Sequence, residues 1–192
     1  ALDAMGQNRY VLPSGAVSAL TSAIVAAVNS GVFFSFAAGN SNEPACNIYP
    51  AAIGTTIAGA MAVGAIQANG TAMSLGDKIA TYGTCVEIWA PGQDVHSAVA
   101  QPTLGEPLPG AWGAGVSPPY QAGQNYYRPG TGSSMAAPHV AGAALLVARK
   151  YQLAGVPVPA PADIETIIKL HMKSVGTQHN GTPIQILTVD DL

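Results

Sequence analysis

Charge is what this chain lacks most. Charged residues make up only 9% of the 192 positions, with seven basic and ten acidic side chains, against about 25% in an ordinary soluble domain. With so few Lys and Arg there is no basic stripe to track a phosphate backbone, which argues against a nucleic-acid partner. A polybasic membrane patch is missing for the same reason. Long hydrophobic runs are also missing. The stretch from Ala19 to Gly39 comes nearest, but Thr21, Ser22 and the turn Asn29-Ser30-Gly31 break it, and a span needs about 20 uninterrupted apolar residues. Cysteine is limited to Cys46 and Cys85. Gly (22) and Pro (15) are plentiful, yet they follow no G-X-Y period and build no low-complexity tract. Collagen is excluded on that ground. Intrinsic disorder is excluded because 48% of the residues are hydrophobic, the reverse of a disordered composition.

What is present reads as one α/β domain. Residues 15–30 carry Ala16, Leu20, Ile24, Val25 and Val28 at helical spacing, with Ser14 or Ser18 as N-cap and Asn29-Ser30-Gly31 as the stop. Val32 to Ala38 follows as a continuously apolar strand, the pattern of a parallel strand buried on both faces. Ile57 to Ile66 and Val86 to Ala90 read the same way. Residues 134–150 form the clearest helix, with Val140, Ala144, Leu145 and Val147 on its inner side. Residues 156–162 are a stiff Pro-rich connection. Asp163 then caps a helix carrying Ile164, Ile167, Ile168 and Leu170, and Pro183 to Val189 reads as a last strand. Helices alternating with buried strands predict a parallel sheet. Residues 97–132, rich in Gly, Pro and Tyr, predict a long loop: either a wall or lid of a cleft, or a loop whose tyrosines simply pack it onto the surface.

Two segments carry chemistry. Gly130-Thr131-Gly132 delivers Ser133 and Ser134 to the first turn of a helix of small residues. Such a helix can be buried and approached closely, and its free N–H groups and positive potential suit an anion. A serine nucleophile needs that exposure, and donors for a tetrahedral oxyanion. Phe36-Ala37-Ala38-Gly39-Asn40 ends a buried strand on an amide that can donate to such an oxyanion. Read locally, a helix cap and an Asn that stabilises its own turn are the commoner explanations of these residues.

Together the segments resemble one family. Gly132-Ser133-Ser134-Met135-Ala136-Ala137-Pro138-His139-Val140-Ala141-Gly142 is similar to the nucleophile motif of subtilisin-like serine proteases, G-T-S-M-A-x-P-H-V-A-G, with Ser133 in place of Thr. Ala37-Ala38-Gly39-Asn40 resembles the family's oxyanion strand, and Ala62-Val63-Gly64-Ala65 its T-V-G-A strand. The run from Tyr82 to Gly92 resembles N-Y-G-x-C-V-D-x-F-A-P-G. The order is the family's own, and the nearest branch is the proteinase K and aqualysin type.

The resemblance implies a fold and roles. The fold is a subtilisin-like parallel sheet with flanking helices. Ser134 is the nucleophile, and Asn40 holds the oxyanion with the Ser134 N–H. Ala37, Ala38 and Gly39 form one wall of the pocket for the residue before the scissile bond. Met5 and Gly6 line the opposite wall, and Ser133 counts with them among the substrate-binding residues. Cys46 and Cys85 form a disulfide. Glu87 stands where relatives place a calcium-binding Asp, a plain surface carboxylate being the alternative. His139 is a structural histidine packed in the helix. The chemistry itself requires no cofactor. The sequons at Asn69 and Asn180 are candidate glycosylation sites, and with the disulfide they favour secretion over a cytosolic setting.

The family's D-[ST]-G and H-G-T-H-V-A-G motifs are absent from the 192 residues. Of the four histidines, His96, His171 and His179 stand in no catalytic context. Residues 1–192 are therefore expected to be the C-terminal portion of a single catalytic domain. A separate N-terminal chain or segment would complete the sheet and supply Asp and His, making the native protease a processed heterodimer. Alone, the chain is expected to be unstable, because a parallel sheet without its first strands exposes an apolar edge. The expected activity is a secreted serine endopeptidase. The alternative is a pseudoprotease that binds or scaffolds. An esterase of the G-x-S-x-G type is excluded, because Ala136 stands where the second Gly belongs.

Overall fold

A computed structural model describes residues 13–76, 78–98, 127–178 and 180–188. Met5, Gly6, His179 and most of the expected 97–132 loop lie outside these ranges. In chain order the elements are α1 (Ser14–Asn29), β1 (Phe34–Ala37), a single 3-10 turn (Ala45–Asn47), α2 (Ala51–Gly54), β2 (Ala60–Ile66), β3 (Ser74–Leu75), β4 (Lys78–Ile79), β5 (Ile88–Pro91), β6 (Val95–Ala98) and β7 (Tyr127–Gly130). Then come α3 (Ser133–Leu153), α4 (Pro161–Leu170), β8 (Met172–Thr177) and β9 (Pro183–Leu187).

Five strands form the main sheet in the order β1-β2-β5-β9-β8. The first four run parallel, as the apolar runs predict. The fifth does not: β8 is antiparallel to β9. It escaped the sequence reading because five of its six residues are exposed, so no apolar run marks it.

β2 is buried at every residue, and its alternation divides the core. Met61, Val63 and Ala65 face the cluster built around α3. Ala60 and Ala62 face α1, where Ile24 and Val28 pack with Phe36, Ile53 and Ile57. The sheet is thus covered on both sides, as parallel sheets require.

Three local expectations are corrected. α1 has no side-chain cap: Pro13 holds that position, its carbonyl accepts the Ala16 and Val17 N–H groups, and Ser18 Oγ turns back to the Ser14 carbonyl. α4 starts with Pro161 after Ala160, so Asp163 lies in its first turn and meets the helix dipole without capping it. Leu145 points outward, 70% exposed, while Ala143 joins Val140, Ala144 and Val147 inside. Neighbours on a helix stand about 100° apart, so Leu145 falls on the flank beside Ala144.

Two ties hold the periphery. Cys46 and Cys85 form the expected disulfide across 39 positions. On chain entropy alone, closing such a loop is worth about 4 kcal/mol. Replacing both cysteines by serine should lower the urea midpoint of the native protein accordingly, and an unchanged midpoint would mean that the loop is already ordered when unfolded.

The second tie is Lys169 on α4, whose Nζ lies 2.9 Å from Glu87 and 2.5 Å from Glu165. The far oxygens of these carboxylates accept the Ala62 and Gly59 N–H groups. Burial works against the Lys169 charge, but the hydrogen bonds and negative charges of Glu165 and Glu87 outweigh it and raise its pKa above 10.5. A cation whose pKa is raised by folding stabilises the fold below its unfolded value, and that contribution is lost as pH rises through the folded value. Stability should therefore fall above about pH 10.5 with a component that Lys169→Met lacks. Superimposable alkaline limbs in the two proteins would show that the pair adds nothing.

Candidate active site

The C-terminal end of β1 and the first turn of α3 meet at one point. α3 packs directly on β1, β2 and β5. Its inner face is built of Ala136, Ala137, Val140 and Ala143, small enough to bring the helix backbone close to the sheet. Ser35 Oγ donates to the Ala137 carbonyl at 3.0 Å and ties the two elements. Gly132 starts the helix, and its N–H donates to the Gly92 carbonyl at 2.7 Å, so the loop after β5 sets the height of the helix end.

Asn40 is held by its side chain. Its Oδ1 accepts the Ser133 N–H at 2.8 Å. With the carbonyl side of the amide taken, Nδ2 is a donor with no acceptor among the described residues. A Cβ on Gly132 would lie 3.0 Å from that Nδ2, at φ 148°, so this position needs glycine for both room and conformation. Ser133 closes the arrangement, its Oγ accepting the Gly39 N–H at 2.9 Å. Ser133 is 1% exposed. Its hydroxyl couples α3 to the strand end, beneath the surface where a substrate contact was expected. Ala38 is also fully buried, which leaves Ala37 and Gly39 as the parts of that wall with open surface.

Ser134 is the second residue of α3 and is exposed. Its neighbours' amides are engaged, Ser133 with Asn40 and Met135 with the Gly132 carbonyl. The Ser134 N–H has no acceptor among the described residues. It is one of the unpaired donors at the positive end of a long helix. An exposed hydroxyl, a helix N–H with no acceptor among the described residues and the Asn40 amide thus lie at one helix–strand junction, and these are the kinds of group that acyl transfer requires.

The base half is not among the described residues. His139 is exposed, and its Nδ1 lies 2.9 Å from the Met135 carbonyl. The expectation that it packs inside the helix is corrected: its ring lies on the open side of α3, turned back onto the carbonyl one turn earlier. His171 Nδ1 meets the Ile167 carbonyl, and His96 is exposed on β6. None of these three makes a hydrogen bond to Ser134.

Glu87 gives no support to a calcium ion. Both of its oxygens have partners, Lys169 and the Ala62 N–H. Among the described residues no group of three or more acidic, His or Cys side chains could hold a metal. Asn69 and Asn180 are exposed in turns, each Oδ1 accepting the N–H of the Thr two residues on.

A serine at the head of a helix packed on the sheet, beside an amide just past the C-terminal end of a parallel strand, is the kind of pairing that serine protease chemistry uses. The comparisons agree. The sequence model of the Subtilase family matches residues 3–180. The alkaline serine exoprotease A of Vibrio alginolyticus is 33% identical over 82% of this chain and 23% of its own length. The extracellular serine proteinase of a Thermus species is 32% identical over 74% of this chain and 28% of its own. Among solved structures, a cold-adapted subtilisin-like serine proteinase matches with TM-score 0.61 and 28% identity, over 88% of this chain and 50% of that one. A protease of Pseudoalteromonas arctica matches with TM-score 0.63 and 27% identity, over 88% and 44%. The chain belongs to the Subtilase family, a family of serine proteases. It spans about a quarter of the curated relatives and about half of the solved chains. Among the described residues no helix is long and apolar enough to cross a membrane.

Proposed function

We propose that this chain is the nucleophile-bearing portion of a secreted serine endopeptidase, completed by a segment that carries the Asp and His. Ser134 Oγ attacks the scissile carbonyl while a His of that segment takes its proton. The oxyanion is held by Asn40 Nδ2 and the Ser134 N–H. The leaving amine takes the proton from the His, and water then hydrolyses the acyl-enzyme. Secretion is supported by the disulfide and by relatives named as extracellular.

The observation that carries the reading is the paired bond of Ser133 to Gly39 and Asn40, which ties the strand end bearing Asn40 to the helix start bearing the exposed Ser134. A second observation supports the completing segment. On the outer side of α3, Leu145, Leu146 and Leu153 are between 55% and 70% exposed, among His139, Arg149, Lys150 and Gln152, and a completing segment would cover that mixed surface.

The test is to treat the native preparation with a fluorophosphonate probe and then to weigh each chain under denaturing conditions. An adduct on Ser134 is expected, with a second segment bearing His and Asp bound. An unlabelled serine in a preparation that does contain such a segment would favour the binding or scaffold reading instead.

A further inference from the structure

An oxyanion donor is useful only if it is already in place when charge develops. Ser133 fixes the Asn40 side chain from the helix side. The backbone that carries Asn40 needs a support of its own, and it comes from residues 79–82. The Thr81 N–H donates to the Gly39 carbonyl at 3.2 Å, and the Ile79 N–H to the Asn40 carbonyl at 3.2 Å. Any residue would make these bonds. The Thr81 side chain adds something specific. It is fully buried, and its Oγ1 accepts the Ser41 N–H at 3.4 Å. The same oxygen lies 2.7 Å from where a Cβ of Gly39 would stand, so it rests on the residue before Asn40 and bonds the residue after it.

We propose that Thr81 is a positioning residue for catalysis: its buried hydroxyl clamps the Gly39-Asn40-Ser41 backbone and, together with Ser133, holds the Asn40 amide donor in place. The inference rests on the protease reading above. Thr81 also stands at a departure in sequence, since the N-Y-G of the related motif is Thr81-Tyr82-Gly83 here. A hydroxyl is short and rigidly branched, so it reaches the Ser41 amide with little rotamer freedom. Without it, a half-buried N–H loses its acceptor and the strand end can rotate.

The test compares Thr81→Val, which keeps the shape and removes the hydroxyl, with Thr81→Ser, which keeps the hydroxyl. Both are made in the complete native protein. Misplacing a catalytic group by a fraction of an ångström costs about 5- to 30-fold. Thr81→Val should therefore lower kcat and the fluorophosphonate labelling rate by that factor, leave KM within about twofold, and speed hydrogen exchange at the Ser41 amide. Thr81→Ser should restore both rates. Unchanged kcat or unchanged Ser41 exchange in Thr81→Val would overturn the proposal, as would a loss that Thr81→Ser does not restore. A wild-type protein that is neither labelled nor active would overturn the protease reading and this inference together. An active wild type with an equally active valine variant would overturn this inference alone.

Discussion

Ser134→Ala should abolish fluorophosphonate labelling of the native protein and lower peptide hydrolysis by about 10⁴-fold or more. The hydroxyl is exposed at the head of α3 and supplies the bond-forming atom, so the loss falls on kcat and leaves KM nearly unchanged. Folding should hardly notice, because the side chain is exposed and alanine is a good helix residue. Ser133→Ala provides the contrast one position earlier. There the hydroxyl is buried and accepts the Gly39 N–H, so its removal leaves a donor without a partner and costs about 1–3 kcal/mol of stability. Comparing the two variants by denaturant midpoint and by labelling separates chemistry from framework. Hydrolysis that survives in Ser134→Ala would assign the nucleophile to another residue.

Asn40 should show the second largest effect, about 10²- to 10³-fold in kcat for Asn40→Leu with little change in KM. The side chain has two separable duties. Oδ1 accepts the Ser133 N–H and fixes the helix start, while Nδ2 is the donor to the oxyanion. Asn40→Asp keeps an acceptor for Ser133 and loses the donor. It should be at least as slow as the leucine variant yet close to wild type in stability, since a carboxylate beside a helix N-terminus is favoured. Asn40→Leu should also lose about 1–3 kcal/mol of stability, because the Ser133 N–H is left without a partner. An aspartate variant that kept its kcat would remove Asn40 from the oxyanion site.

The reach of the sequence is clearest where one segment carries its own message. α1 and α3 are legible because helical spacing sets an apolar stripe. β2 is legible because a strand buried on both faces is apolar throughout. Ser134 and Asn40 are legible because their motifs are short and local. The errors have the opposite character. β8 is an exposed edge strand with no apolar run. Leu145 differs from Ala144 by one step around a helix, which a count of apolar positions cannot resolve. Ser133 reads as a variant of the motif, and its burial becomes visible only when the Gly39 amide is found 94 positions earlier in the chain.

By itself, then, the sequence determined the family and the α/β class and singled out Ser134 and Asn40 as the candidate nucleophile and oxyanion amide, because spacing along one segment encodes them. Tertiary structure alone decided that Ser133 is buried and bonded to the strand end. It decided that Glu87 pairs with Lys169 across 82 positions, and that Thr81 lies against Gly39. These roles depend on which donor meets which acceptor when distant segments pack, and a hydrogen bond made across that distance leaves no period in the chain to be read.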